Sequence, residues 1–188
     1  MNKLFKINEL KNKLKFLRKK NKIIGLCHGV FDLLHVGHIR HFKLAKKKVD
    51  FLILSITTDQ FVNKGSDRPY FNQKLRAEVV SSIKYIDAVV LSDNLSSEKI
   101  INFVRPNYYF KGSDYKNAKK DITGKIKKEK SLVEKHKGKV IYTDDLVFSS
   151  SALINNFNST FNDNQRKFLN YLKKKYKSDE ILSYLKKI

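Results

Sequence analysis

The chain has 188 residues, of which 41% are hydrophobic, and a formal net charge of +22 at pH 7. This length suits one domain with an appendage, and such a domain can bury a core without covalent cross-links. The only cysteine is Cys27, which excludes an intramolecular disulfide and a cysteine-based zinc site. No apolar run reaches membrane-spanning length and the start lacks a signal-peptide core, so we expect a cytoplasmic protein with no membrane partner.

The positive charge raises the question of nucleic-acid binding. Almost all of it comes from lysines that are scattered through the chain. A polyanion-binding surface would instead combine clustered arginines with aromatic stacking platforms, and these are absent from the sequence. We therefore favour an ordinary solvated surface that attracts anionic substrates and expect no nucleic-acid partner, with charge-driven RNA binding as the alternative.

The first predicted element is an amphipathic helix over residues 3–20, which we treat as an N-terminal helix within 1–21. Its apolar residues recur at spacings of three and four: Leu4, Ile7, Leu10, Leu14 and Leu17.

Five short apolar runs follow, and they alternate with helical stretches. Their apolarity is continuous, which is typical of strands covered on both faces. The predicted strands are 23–27, 51–57, 87–91, 108–112 and 139–143, and the predicted helices are 37–48, 72–84, 96–104 and 122–136. This alternation predicts an α/β fold, a Rossmann-like parallel sheet sandwiched by helices, over residues 22–157.

The character of the chain changes near its C-terminal end. Residues 152–157 are predicted to form a last short helix of the domain, and 158–188 contain two amphipathic segments. No group of residues there suggests chemistry. We interpret 158–188 as a helical appendage or linker.

Polar and glycine-bearing segments come directly after four of the five strands. They are "HGVFDLLHVGH", "TTDQFVNKGSDRPY", "KGSDY" and "TDDLVFSSS". In a parallel sheet the ligand lies at the carboxyl ends of the strands, where the strand order reverses. Four loops are therefore predicted to meet at one edge of the sheet.

The first of these segments suggests phosphate chemistry. Gly29 allows a close backbone approach, and a helix is expected to start near Gly37, with its positive end towards the loop. His35 and His38 flank that start, and two imidazoles can donate hydrogen bonds to phosphoryl oxygens. The alternatives are a zinc pair lacking a third ligand motif, a histidine nucleophile without an acid–base partner nearby in sequence, and two surface histidines at a helix cap.

The stretch "GVFDLLHVGHIRHFKLAKK" resembles the signature of the cytidylyltransferase-like nucleotidyltransferase family, H-x-G-H after a G-x-F-D loop. The resemblance covers about residues 22–157. Closest in pattern are the adenylyltransferase domains of ADP-heptose synthases, which have segments similar to "KGSDRP" and "FKGSDY". Glycerol-3-phosphate cytidylyltransferases are the nearest rival.

The resemblance implies transfer of AMP or CMP from ATP or CTP to a sugar phosphate or polyol phosphate, with release of pyrophosphate. It also implies Mg²⁺ carried by the triphosphate rather than by protein ligands, a homodimer, a role in nucleotide-sugar and cell-surface glycan synthesis, and a sugar kinase partner. A nucleotide-binding module without turnover is a further alternative.

The same resemblance implies roles for individual residues. The predicted catalytic residues are His35, His38 and Lys64, and the predicted substrate-phosphate residues are Arg68 and Arg76. The predicted nucleotide-binding residues are Gly29, Val30, Phe31, Gly37, Lys111, Gly112, Asp114, Phe148, Ser149, Ser150 and Ser151. We expect Asp32 to order its turn through local hydrogen bonds rather than to act as an acid or base.

One departure bears on the nucleotide. Glycerol-phosphate enzymes place an arginine about five residues before the serine cluster, where this chain has Asp144 or Asp145. This favours the heptose type, and with it ATP over CTP.

Overall fold

A computed structural model describes residues 3–63, 68–93, 97–113 and 125–143, together with residues 164, 165, 167, 168, 171 and 175. The chain divides into two compact units, 1–148 and 149–188. In the second unit the described residues are helical, and Lys175 Nζ donates a hydrogen bond to the Tyr171 hydroxyl at 2.9 Å. The predicted helix at 152–157 lies outside the described residues.

The first unit contains a five-stranded sheet in the order β3-β2-β1-β4-β5, with every pairing parallel. The strands are β1 (Ile24–Gly29), β2 (Phe51–Thr57), β3 (Ala88–Ser92), β4 (Tyr108–Gly112) and β5 (Lys139–Thr143). The predicted α/β fold with a Rossmann-like parallel sheet is thereby confirmed. The strand order reverses between β1 and β4, so their adjacent carboxyl ends form the switch point where such folds bind ligands.

Helices cover both faces of the sheet. They are α1 (Ile7–Lys19), α2 (Val36–Lys46), α3 (Gln73–Ser81), α4 (Glu98–Val104) and α5 (Lys125–Lys135), with a 3₁₀ turn at Asp59–Phe61. On one face α1, α4 and α5 pack around Leu14, Ile101 and Val133. On the other face α2 and α3 pack around Phe42, Ala45 and Val80. Burial on both sides explains why the strand sequences are continuously apolar.

The N-terminal helix starts later than its periodicity predicts. Leu10 and Leu14 are buried, whereas Leu4 and Ile7 are exposed. Residues 3–5 instead run parallel to β3, where Phe5 N donates to Val89 O at 2.9 Å and Val89 N donates to Lys3 O at 2.7 Å. The edge strand β3 thereby gains backbone partners that the helical pattern did not predict.

None of the helices in the described ranges combines the length and the apolar character needed to cross a bilayer. The single cysteine, Cys27, is buried in β1, and burial raises the pKa of its thiol. Cys27 is therefore a core residue that stays protonated.

Gly25 and Gly112 offer a matched test of packing in the sheet. A Cβ at Gly25 would lie 2.9 Å from the Phe110 ring, 3.0 Å from Val49 and 3.1 Å from Leu52, whereas a Cβ at Gly112 would meet nothing within 4 Å. We expect Gly25→Ala to lower the free energy of unfolding by about 1–3 kcal/mol, because core overpacking forces shifts in its neighbours. Gly112→Ala should change it by less than about 0.5 kcal/mol. Urea denaturation checks both, and an equal effect of the two substitutions would contradict this account.

Candidate functional site

The loop between β1 and α2 brings both motif histidines to the switch point. His35 is the N-cap residue of α2, with extended backbone angles, and His38 lies in the first turn of that helix. The Nδ1 atom of His35 accepts a hydrogen bond from Gly37 N at 3.2 Å. The Nδ1 atom of His38 accepts one from His35 N at 3.3 Å. The two imidazoles thus cap the helix start reciprocally, in the way that serine and glutamate do in a capping box.

These two bonds fix the protonation of both rings. A ring nitrogen that accepts from a backbone N–H carries no proton, so each neutral ring bears its hydrogen on Nε2. Burial lowers the pKa of His35, which favours the same neutral form. The ring centroids are 3.9 Å apart. The site therefore presents two neighbouring neutral imidazoles as Nε2–H donors.

The aromatic ring of Phe31 packs against the histidine pair. Its backbone is left-handed, with a φ of 50°, which is strained for an aromatic residue. Its ring lies 5.7 Å from the His38 ring and 5.4 Å from the Phe42 ring, edge to face. A Cβ at Gly29 would lie 3.1 Å from the same ring, so the glycine makes room for it. Gly29 and Phe31 thereby position the histidines, and their predicted nucleotide contacts stay predictions.

Asp32 has an ordering role, but its partners are distant in sequence and the predicted local hydrogen bonds are wrong. Its carboxylate is buried and accepts hydrogen bonds from Arg68 Nε at 2.6 Å, Tyr70 N at 2.8 Å and Phe71 N at 2.9 Å. Burial alone would raise the pKa of Asp32, but the bonds from Phe71, Tyr70 and Arg68 outweigh it and the pKa is lowered. Asp32 stays ionised and ties the first loop to residues 68–71.

The structure places Arg76 in the interior of the protein. This arginine on α3 is 1% exposed, and its guanidinium donates to four protein oxygens, so its predicted contact with substrate phosphate stays a prediction. The acceptors are Phe71 O, Val30 O, Thr57 O and Asp59 Oδ1. Arg76 therefore holds three loops together from inside, and Val30 offers its carbonyl to Arg76.

Lys111 is also committed to protein contacts. Its Nζ lies 2.8 Å from Glu129 Oε2 and 5.2 Å from the centroid of the Tyr109 ring. Glu129 is 5% exposed and also accepts a hydrogen bond from Ser97 Oγ. The lysine side chain thus connects β4 to α4 and α5, and the predicted nucleotide contacts of Lys111 and Gly112 stay predictions. Open space lies over Gly112, within the described residues.

His41 is a residue at this edge that the sequence analysis missed. Its Nδ1 lies 2.6 Å from Thr143 Oγ1, and that hydroxyl donates to Lys111 O at 3.3 Å. One hydrogen-bonded chain therefore connects α2 to the ends of β5 and β4. Its spacing of three residues from His38 could have identified it, because this spacing places His41 one turn further along the same helix.

The remaining predicted site residues are Lys64, Asp114, Phe148, Ser149, Ser150 and Ser151, and all of them lie outside the described residues. Asp144 and Asp145 lie outside as well. Within the described ranges no three His, Cys, Asp or Glu side chains come together as a metal site.

The family model "Cytidylyltransferase-like" matches residues 26–157, which include both histidines and all the loops described above. The chain belongs to the cytidylyltransferase-like family. This confirms the family inferred from the histidine motif, and with it a nucleotidyltransferase domain.

Curated relatives extend the comparison. The chain is 37% identical over 128 residues to the bifunctional protein HldE of Nitratiruptor sp., covering 66% of this chain and 27% of the relative. It is 32% identical over 160 residues to the bifunctional protein HldE of Helicobacter pylori, covering 84% of this chain and 32% of the relative. The chain thus spans between a quarter and a third of the length of these relatives.

Solved structures share the fold. A lipopolysaccharide core biosynthesis protein from Thermoplasma volcanium has a TM-score of 0.56 at 24% identity, covering 67% of this chain and 99% of that one. Pantoate-beta-alanine ligase from Francisella tularensis has a TM-score of 0.59 at 17% identity, covering 90% and 77%. At these identities the likeness concerns the fold alone.

The cap role of His35 predicts a pH dependence of stability. Its lowered pKa means that the unfolded chain takes up the proton first as the pH falls, so the free energy of unfolding should decrease below about pH 6.5. His35→Asn keeps a capping side chain without a titrating ring. We expect the urea midpoint of the wild type to fall more between about pH 7.5 and about pH 5.5 than that of the variant.

His136 contributes in the same direction in both proteins and cancels in the comparison. Its pKa is lowered by burial and by the charges of Arg105 and Lys135. Parallel pH profiles for the wild type and His35→Asn would show that the His35 ring does not titrate against its cap.

Proposed function

We propose that this chain transfers a nucleotidyl group, preferentially AMP from ATP, to the phosphate of a sugar phosphate and releases pyrophosphate. The observation that carries the proposal is the reciprocal histidine cap of α2, which sets two neutral Nε2–H donors side by side at the switch point. Membership of the cytidylyltransferase-like family supports the reaction class.

The step is an in-line displacement at the α-phosphorus. A phosphate oxygen of the acceptor forms the new P–O bond while the bond from the α-phosphorus to the bridging oxygen of pyrophosphate breaks, and that oxygen leaves with the electron pair. A phosphate monoester is already ionised near neutral pH, so the step needs no general base. The protein is left to position the two phosphates and to stabilise charge on the reacting group.

His35 and His38 supply that stabilisation in this proposal. Their Nδ1 atoms are held by backbone N–H groups, so the rings cannot rotate without breaking the helix cap. Donors fixed in advance cost no reorganisation as charge develops. Mg²⁺ would enter with the triphosphate in this proposal.

The preference for ATP and for a sugar phosphate draws on the relatives. Several bifunctional proteins named HldE match this chain at 32–37% identity. Their second function is consistent with a sugar kinase that is joined to this domain or acts as its partner. Asp144 and Asp145, which stand where glycerol-phosphate enzymes have an arginine, also favour ATP over CTP. The alternatives are CTP-dependent transfer to glycerol 3-phosphate or another polyol phosphate, and nucleotide binding without turnover. A homodimer stays a prediction.

The histidine roles predict a difference between two conservative substitutions. In His38→Asn the short amide can replace the Nδ1 acceptor but cannot reach the Nε2 position, whereas in His38→Gln the longer amide places an N–H near Nε2. We expect kcat to fall about 100- to 1000-fold in His38→Asn, as for an oxyanion-hole donor, with melting temperature almost unchanged. His38→Gln should retain at least about tenfold more activity than His38→Asn.

The control for these measurements is His136→Asn. This histidine is at the end of α5, where its Nε2 contacts Asn102 Oδ1 at 2.8 Å, and its substitution should leave kcat at the wild-type value. If both His38 variants turned over like the wild type, the proposed histidine role would be wrong.

The choice of nucleotide predicts a difference in thermal stabilisation. A ligand at about 100 times its Kd adds about 2.7 kcal/mol to stability, which corresponds to a rise in Tm of about 5–10 °C for a chain of this size. We expect Mg·ATP to give this rise and Mg·CTP a smaller one. Pyrophosphate release should then be measured with heptose 1-phosphate, other sugar 1-phosphates and glycerol 3-phosphate.

The possible results separate the candidates. Turnover with CTP and glycerol 3-phosphate would favour the cytidylyltransferase alternative. Binding of a nucleotide without pyrophosphate release for any acceptor would favour a module without turnover.

A further inference from the structure

The two central strands of the sheet part at their carboxyl ends. Residue pairing between β1 and β4 ends at Cys27 and Phe110. Each strand continues for two more residues, up to Gly29 in β1 and Gly112 in β4, and pairs there with its outer neighbour, β2 or β5. A crevice therefore opens between the ends of β1 and β4, which is the switch point of the sheet.

A hydrogen-bonded link spans this crevice. His41 lies on α2, the helix that follows β1, and its Nδ1 is 2.6 Å from Thr143 Oγ1 at the end of β5. The Thr143 hydroxyl also contacts Lys111 O, near the end of β4, at 3.3 Å. The link from His41 to Thr143 thus joins α2 to the β4–β5 side of the sheet, beyond the last paired residues of the two central strands.

The direction of both hydrogen bonds follows from the carbonyl at the end of the link. A carbonyl oxygen only accepts, so the Thr143 hydroxyl donates its single hydrogen to Lys111 O. Thr143 Oγ1 is then the acceptor of the other bond, and His41 Nδ1 is its donor. The neutral His41 ring carries its hydrogen on Nδ1, which is the reverse of His35 and His38. His41 is therefore a donor in the link rather than a third member of the histidine pair.

Both ends of the link are held by other contacts. Thr143 is 7% exposed, and the Lys111 side chain is fixed by Glu129, with Nζ 2.8 Å from Oε2. On the other side, the His41 ring packs edge to face on the buried Phe42 ring, with centroids 5.6 Å apart. A bond between two fixed parts of a protein sets their separation, because neither part can yield without losing contacts of its own.

We propose that His41 is a positioning residue that sets the width of the crevice through Thr143. It thereby sets the distance between the pair formed by His35 and His38 and the end of β4. The importance of that distance rests on the proposed function, in which one nucleotide fills the crevice and reacts beside the histidines. A misplacement of about 1 Å can slow such a reaction about 100-fold. His41 itself does not touch the nucleotide in this proposal.

The test removes the link at either end and restores it with a conservative variant. Thr143→Val keeps the shape of the side chain but loses the hydroxyl, whereas Thr143→Ser keeps the hydroxyl. His41→Leu loses the donor, whereas His41→Asn places an amide N–H near the position of Nδ1. We expect kcat to fall about 10- to 100-fold in Thr143→Val and in His41→Leu, and to stay within about threefold of the wild type in Thr143→Ser and His41→Asn.

A double variant separates positioning from a loss of stability. Combining His41→Leu with Thr143→Val should slow turnover by no more than about threefold beyond either single variant, because the second substitution has no link left to break. All rates are measured well below the lowest melting temperature of the set. A purely structural role would lower the melting temperatures and leave kcat unchanged, and losses that multiply in the double variant would show two independent residues. Either result would overturn the proposal.

The control is again His136→Asn, which removes an imidazole contact with Asn102 Oδ1 at 2.8 Å. This contact lies between the end of α5 and α4, away from the link. The variant should keep the wild-type kcat and nucleotide affinity.

Nucleotide binding distinguishes the failure of this proposal from the failure of the proposed function. In a calorimetric titration Mg·ATP should bind Thr143→Val at least about fivefold more weakly than the wild type, and Thr143→Ser should restore binding, because a site that is not held in its bound form loses affinity. If this pattern was found but no acceptor supported turnover, the role of the link would stand and the proposed reaction would fail. If the wild type turned over and Thr143→Val matched it in both kcat and Kd, the reaction would stand and the role of His41 would be wrong.

Discussion

The Nδ1 atoms of His35 and His38 each accept a hydrogen bond from the backbone at the start of α2, and this constraint governs the chemistry of the site. It commits one nitrogen of each ring to the fold, which defines the tautomer and the direction of the other nitrogen. Protonation would have to place a hydrogen where a backbone N–H already points. Neutral rings are therefore part of the folded structure, and the strained backbone of Phe31 belongs to the same arrangement because its ring supports His38.

Buried charged side chains hold the loops in place in a similar way. Asp32 holds residues 68–71 against the first loop, and Arg76 joins the carbonyls of Val30, Thr57 and Phe71. Loops at the edge of a sheet usually gain mobility from their exposure. Here the loop after β1 and the segment 68–71 each have a charged partner whose removal would leave another buried group unsatisfied.

The sequence predicted the strands well because continuous apolarity is a property of each short segment by itself. The bounds of β2, β4 and β5 agree with the predicted 51–57, 108–112 and 139–143, since continuous apolarity reflects burial on both faces. The helix α1 starts later than predicted because residues 3–5 pair with Val89, which is more than 80 positions away in the sequence. A helical period in Leu4 and Ile7 carries no information about a strand partner at that distance.

Site residues could be predicted where their hydrogen-bond partners are close to them in the sequence. The two histidines are three residues apart and cap one helix, so their motif indicated their place. Arg76 and Lys111 were assigned to ligands from the family resemblance, which says nothing about their contacts within the protein. The carboxylates that they contact, those of Asp59 and Glu129, are 17 and 18 positions away and become neighbours only through the fold.

These pairings also change how the strong positive charge should be interpreted. In the described part of the edge, Arg68, Arg76 and Lys111 each face a carboxylate, namely Asp32, Asp59 and Glu129. Local charge there is close to balanced, while the surface lysines produce the net +22. The surface can raise the rate of encounter with anions, an effect that salt screens. Recognition at the edge must instead depend on the direction of individual N–H groups, and these are set by hydrogen bonds that salt does not weaken in the same way.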